Sequence, residues 1–188
     1  GGNLDGMIFS TAFIDRIGTK SLGTLRFTAW FHIGATYNYN INKNVGIFTG
    51  LDLKNIGFIE KFKVNDLTTK QRVYTLGVPV GLRLGNMQKR NYLFLGGGLD
   101  LALQYKSKYW DVNTKKTKTN DWFSDKTNLL MPYVFVGAAI GGTTIKIQYY
   151  PTNFYNEDYS ISGIKPYANN KVNLLLFSVG KDINLSKK

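Results

Sequence analysis

The 188-residue chain predicts an all-β fold: an eight-stranded, antiparallel, up-and-down transmembrane β-barrel. Three observations predict it. Apolar and polar residues alternate with period two over long stretches, short turns alternate with long polar connections, and glycines gather on the polar side of the alternation. Aromatic residues make up 14% of the chain and there are 20 glycines, a composition that favours strands and tight turns over helices. The length suits a single domain over residues 1–188, with the leading Gly1-Gly2 read as a cloning scar.

Candidate strands lie at 5–14, 24–41, 45–59, 73–85, 92–106, 131–141, 143–151 and 171–183. The second carries Leu25, Phe27, Ala29, Phe31, Ile33, Ala35, Tyr37, Tyr39 and Ile41 on one face, with Arg26, His32 and Gly34 on the other. The fourth sets Tyr74, Leu76, Val78, Val80, Leu82 and Leu84 against Thr75, Gly77, Pro79, Gly81 and Arg83. Pro79 cannot donate to a ladder, so a bulge is expected there. In the fifth, Leu93, Leu95, Leu99, Leu101, Leu103 and Tyr105 oppose Phe94, Gly96, Gly98, Asp100, Ala102 and Gln104. The sixth and eighth are apolar on both faces, which leaves their registers open.

Tight turns follow the second, fourth and sixth strands, as NKN, NMQKRN and GG. The connections 15–23, 60–72, 107–130 and 152–170 are longer and rich in Lys, Asp, Asn, Thr and Ser. Successive antiparallel strands reverse direction, so the short turns share one end with the termini and the long loops share the other. Transmembrane barrels have this polarity. No run reaches the ~20 apolar residues a membrane-spanning helix requires. The chain opens with GGNLDG and has neither a charged nor an apolar leader region, so a signal peptide is expected to have been removed.

The alternation leaves the question of which face is outside. With the apolar face outward, the interior of an eight-stranded barrel is just wide enough to be filled by side chains, and its charges must be paired. Arg26, His32, Asp52, Lys54, Arg83, Asp100, Lys146 and Gln148 form the expected polar lumen network, in which Arg26, Arg83 and Lys146 meet Asp52 and Asp100. Tyr37, Tyr39, Tyr74, Tyr105 and Tyr149 would then edge the apolar face as an interfacial girdle. The alternative is a soluble, lipocalin-like barrel that encloses a small apolar ligand. It would place glycine at many water-facing strand positions, where glycine weakens a sheet.

The stretch VYTLGVPVGLRLGNMQKRNYLFLGGGLDLALQYK (73–106) resembles the outer-membrane β-barrel family of Bacteroidetes, often labelled PorT-like or porin-family. Tyr74, the Val78-Pro79-Val80 segment, the short turn and the Gly96-Gly97-Gly98 run carry the resemblance. KIQYYPTNF and NKVNLLLFSVGKDI are similar to that family's last two strands. The resemblance implies a small barrel in the outer membrane of a Gram-negative cell envelope.

No cysteine occurs, which excludes disulfides and thiolate catalysis, and a lone histidine leaves no His-based metal site, so neither metal nor cofactor is expected. His32 as the base of an outer-membrane lipid enzyme is a second alternative, but no serine and carboxylate can be set beside it from sequence, so no catalytic residue is assigned. GGGLD at 96–100 lacks the lysine and the strand-to-helix context of a phosphate loop. The net charge of +12 calls for an acidic partner. Much of it lies in 106–126, read as a solvated loop, where Lys108, Trp110, Lys115, Lys116, Lys118 and Trp122 form a candidate surface for outer-membrane lipid or lipopolysaccharide, glycans or envelope proteins. A monomer without enzymatic activity is expected, and an exterior loop gives no expectation of nucleic acid.

Overall fold

A computed structural model describes residues 1–62, 67–110 and 116–183, without the side chains of Trp30 and Phe31. The strands are β1 (Gly2–Arg16), β2 (Thr19–Leu22), β3 (Arg26–Asn40), β4 (Val45–Phe62), β5 (Leu67–Asn86), β6 (Asn91–Trp110), β7 (Thr117–Trp122), β8 (Leu130–Ile140), β9 (Thr143–Tyr149) and β10 (Asn170–Ile183). All pairings are antiparallel, and the path β1-β3-β4-β5-β6-β8-β9-β10 returns to β1 through pairs running from Gly2↔Ile183 to Arg16↔Asn170. The sheet is therefore a closed barrel, and closure removes the exposed edges of an open sheet.

Where eight strands were expected, the described sheet has ten. The additional two are β2, paired with β1, and β7, paired with β6. Both are short and polar, with no apolar alternation to announce them. The predicted loop at 60–72 is also largely strand, since β4 runs to Phe62 and β5 begins at Leu67. Long β-ribbons thus rise from one end of the barrel. At the other end, Gly141 and Gly142, with φ of 58° and 87°, make the tight β8–β9 turn that needs two left-handed residues.

The apolar face points outward. Leu76, Val78, Val80, Leu82 and Leu84 of β5 are exposed, as are Leu93, Leu95 and Leu99 of β6, Phe27 and Ile33 of β3, Leu51 and Leu53 of β4, and Val134 and Val136 of β8. Together they form a continuous apolar belt around the barrel. Tyr37 and Tyr39 edge it on the short-turn side.

Two register shifts decide what lies inside. Between Asp5 and Met7 the β1 register slips, so Asp5 below the shift and Ile8 above it both face inward. Between Tyr74 and Thr75 the β5–β6 register slips as well, so Ala102 is inside below the shift and Tyr105 is inside above it. Tyr105 is therefore buried in the interior and does not belong to the outer girdle, because one extra residue reverses every later side chain. Pro79, by contrast, pairs with Gly98 without a bulge. Its missing N–H faces a gap in the β4 ladder between Thr49↔Val80 and Asp52↔Gly77, and the Thr49 hydroxyl donates to the Pro79 carbonyl at 2.9 Å.

The interior has three zones. Towards the short turns, aromatic rings lie over glycines: a Cβ on Gly81 would strike Phe48, one on Gly96 would strike Phe135, and one on Gly137 would strike Phe94. Charged groups fill the middle. The outer half is largely apolar, built from Ile14, Ile56, Phe58, Val73, Leu174 and the inward-folded Phe154 and Tyr155 of the last connection, with Arg26, Gln71 and Ser107 also buried there. The Phe58 and Phe154 rings meet edge to face at 5.3 Å. The carboxylate–cation centres of the expected polar lumen thus gather in the middle of the barrel, while Arg83 is buried towards the short turns and Arg26 in the outer half. The bulge that turns Tyr105 inward and the dip of residues 150–155 supply the apolar outer half.

Candidate functional site

The middle of the lumen holds two carboxylate centres. In the first, Asp5 Oδ2 lies 2.7 Å from His32 Nδ1 and 2.9 Å from Lys146 Nζ, and it accepts a hydrogen bond from Ser178 Oγ at 3.0 Å. A carboxylate only accepts, so His32 Nδ1 carries the proton. His32 Nε2 points towards Asp52 Oδ2, 3.6 Å away, beyond hydrogen-bond reach. An acidic partner orients the imidazole, as in a catalytic pair, but its free nitrogen meets a second carboxylate where a nucleophile's hydroxyl would be needed.

Asp100 is the second centre. Its Oδ2 accepts from Tyr150 OH at 2.6 Å and Thr75 Oγ1 at 3.2 Å, and Gln148 donates in turn to Tyr150 OH at 2.6 Å. Lys54 Nζ sits 2.7 Å from Asp100 Oδ1, close enough for an ion pair but not aligned as a hydrogen bond, and 3.7 Å from the centre of the Tyr133 ring. Both partners of this pair are essentially inaccessible to solvent. Glycines make room for these groups: a Cβ on Gly34 would collide with Asp52, and one on Gly77 with Asp100.

Below the ion pairs, a cavity of about 80 Å³ is lined by Asp52, Lys146, Arg83, Tyr133 and Phe135 among others. Its lining includes unpartnered oxygens of Asn3, Asp52 and Tyr133, so it suits a few ordered waters.

A different arrangement appears on the outer surface above the apolar belt. Going up β5 and β6, Leu76↔Leu101 gives way to Tyr74↔Gln104↔Trp122, then Arg72↔Lys106↔Asn120, then Lys70↔Lys108↔Lys118, with β7 supplying the third member of each row. Residues directly opposite in a sheet share a face, so five cations stand side by side. None of the five has a carboxylate within 4.0 Å among the described residues. Lys106 Nζ lies 4.9 Å from the centre of the Tyr74 ring. Arg72, then burial, Lys118 and Lys116, hold the Lys108 ammonium below its ordinary pKa; for Lys70, burial leads and Arg26, Arg72 and Lys108 follow.

No known family model matches the chain, and no curated protein matches it. Among solved structures it is similar to Ail, the attachment invasion locus protein of Yersinia pestis, in complex with the heparin analogue sucrose octasulfate: 15% identity over 96% of this chain and 97% of that one, TM-score 0.45. It is also similar to Neisserial surface protein A, NspA, at 12% identity over 97% of each chain, again with a TM-score of 0.45. The fold itself is read from this chain's own closed strand pairing.

The lumen residues named from the sequence separate into groups. His32, Lys54, Asp100 and Lys146 lie within the two ion-paired centres, Asp52 flanks His32, and Gln148 reaches Asp100 through Tyr150. Arg26 and Arg83 do not meet Asp52 or Asp100. Arg26 is buried where β3 and β4 diverge and donates to Asn55 Oδ1 at 2.6 Å. Arg83 lies nearer the short turns, donates to Asn40 Oδ1 at 2.9 Å and stacks over Tyr92.

Sequence reasoning missed Asp5, the shared partner of His32 and Lys146, because a register slip reverses its face. It also missed Tyr150, which reads as the end of a strand. Of the surface set, Lys108 and Lys118 are cross-strand neighbours, Trp122 is the exposed end of the aromatic row, Trp110 pairs with Thr68, and Lys116 is exposed before β7. Lys115 lies outside the described residues. The solvated loop is in part a β-ribbon, which brings Lys70 and Arg72 of β5 into the same surface.

Proposed function

We propose that this protein is a monomeric, non-enzymatic outer-membrane β-barrel whose eight ring-closing strands stand in lipid and whose ribbons and long connections meet molecules at the cell surface. One observation carries the reading: aliphatic side chains face outward all round the barrel, while carboxylates, lysines and a histidine are buried inside. A water-soluble monomer rarely exposes more than a few hundred Å² of contiguous apolar surface. A membrane barrel requires such a belt, apolar outside and polar within.

Filling of the outer half by Phe58, Tyr105, Phe154 and Tyr155 supports a closed lumen, and His32 beside two carboxylates supports a structural role for the histidine. The short turns and termini would face the periplasm, and the basic ribbon the exterior.

Export of the chain behind a signal sequence tests the proposal, with boiled and unboiled membrane fractions compared on a denaturing gel. The expected result is a detergent-extracted band whose mobility changes on boiling, together with no porin-sized conductance in planar bilayers. A soluble protein without the shift would favour the ligand-enclosing barrel. Turnover of lipid abolished by His32→Ala, with the shifted band retained, would favour the enzyme.

A further inference from the structure

We infer that the cationic rows Arg72–Lys106 and Lys70–Lys108–Lys118 bind the phosphate groups of a phosphorylated glycolipid of the lipid A class in the surrounding outer leaflet. The inference rests on the membrane reading above. It starts from an imbalance within the sheet: like charges directly opposite one another on neighbouring strands are destabilising. Here they occur in two successive rows with no carboxylate of the described chain set against them. Of the acidic residues that pair with cations elsewhere, Asp5, Asp100 and Glu60 face inward, and the outer ones, Asp121 and Asp158, pair with Lys126 and Lys165 instead of the rows.

The position of the rows selects the kind of anion. They lie on the outward face of the same strands that form the belt, directly above the Tyr74–Trp122 row. Tyr and Trp favour the membrane interface, so the cations stand at headgroup level and face sideways into the leaflet. Strand spacing of roughly 4.8 Å and a two-residue step of roughly 6.6 Å put the five cations in a patch of about 10 by 7 Å, a scale suited to one or two phosphate groups. Arg72 can present two parallel N–H donors to a phosphate, while the lysines act as point charges.

The test uses barrels refolded in phosphatidylcholine vesicles that contain bisphosphorylated lipid A, dephosphorylated lipid A or phosphatidylglycerol. The readout is the glycolipid retained per barrel after detergent extraction and affinity capture. Bisphosphorylated lipid A is expected to be retained in a salt-sensitive manner, and R72Q/K106Q/K108Q is expected to lower retention about tenfold, the scale of a lost charge-assisted contact. K20Q/K171Q, at the same end but on the opposite wall, should leave retention unchanged.

Equal retention of the dephosphorylated form, or of phosphatidylglycerol, would overturn the inference. So would retention unaffected by the triple variant. Displacement of lipid A by a soluble sulfated polysaccharide that then stays on the ribbon in lipid-free micelles would also overturn it, making the ribbon a glycan-docking surface. A boiling-sensitive gel band in phosphatidylcholine alone separates these failures from failure of the membrane reading, whose loss would remove both.

Discussion

Lys54 and Lys146 inside the barrel, and Lys70 and Lys108 on its outer ribbon, are the same residue type in opposite circumstances. Inside, each ammonium has its own carboxylate at 2.7 or 2.9 Å, and glycines clear the space for the pair. Outside, the neighbours of each lysine include further cations, and no carboxylate is in reach among the described residues. The difference teaches how to read a basic chain. For the two buried lysines, the counter-ion is supplied by the same chain. On the ribbon, where the described chain sets no carboxylate against the cations, the inferred counter-ion comes from outside.

The contrast breaks most readily from within. Lys54→Met removes one partner of a fully buried pair and strands Asp100, so it should cost about 3–5 kcal/mol, read as a lower urea midpoint for the boiling-sensitive band. Adding Asp100→Leu should recover much of that loss, since the cost comes chiefly from the unpaired charge.

The belt between the two regions sets the next effect. Val80 lies mid-belt on β5, and Val80→Arg should cost about 2–4 kcal/mol in vesicles, whereas Tyr37→Arg at the belt's edge should cost about 0–1 kcal/mol. Equal costs at the two depths in the same unfolding assay would mean that no lipid gradient acts on that face.

Effects should shrink outside. A hydrogen bond to Asp121, at 2.6 Å, raises the Lys126 pKa above its ordinary 10.5. The raised group stabilises the fold below 10.5, and its contribution is lost as pH rises through the folded value. Both side chains are partly exposed, so Asp121→Asn should cost less than about 1 kcal/mol at pH 7. Amide exchange at 117–126 should differ between D121N and the parent at neutral pH and converge in strong alkali.

Smallest of all, Lys108→Gln in vesicles without lipid A should shift stability by less than about 0.5 kcal/mol in either direction. A large loss would show that the ribbon cations hold the fold together after all.

The barrel was legible because its period-two pattern is long. Strands such as β5 and β6 repeat the alternation often enough to fix which side chains share a face, and the polar residues between the leucines fall in the lumen. What the sequence hid were the places where the period slips. Asp5 and Tyr105 lie beside register shifts that no residue type announces, and for Tyr105 the shift reverses the expected face.

The candidate sites were legible in the same measure. The Lys54–Asp100 pair follows from two residues on polar faces, but Asp5 and Tyr150 complete the centres from positions that periodicity does not mark. On the ribbon, the lysines of 106–126 stood out by composition. Only the pairing of β5 with β6, and of β6 with β7, adds Lys70 and Arg72 to them.

The most direct test of the central claim, that the apolar face meets lipid, uses the absence of cysteine from the chain. Val80→Cys provides a unique thiol on a side chain that is 60% exposed, and it can carry a small fluorophore in reconstituted vesicles. The account predicts quenching by nitroxides on lipid chains and protection from aqueous iodide. Quenching by iodide with no effect of the lipid nitroxide would mean that this face meets water, and the membrane barrel would be wrong.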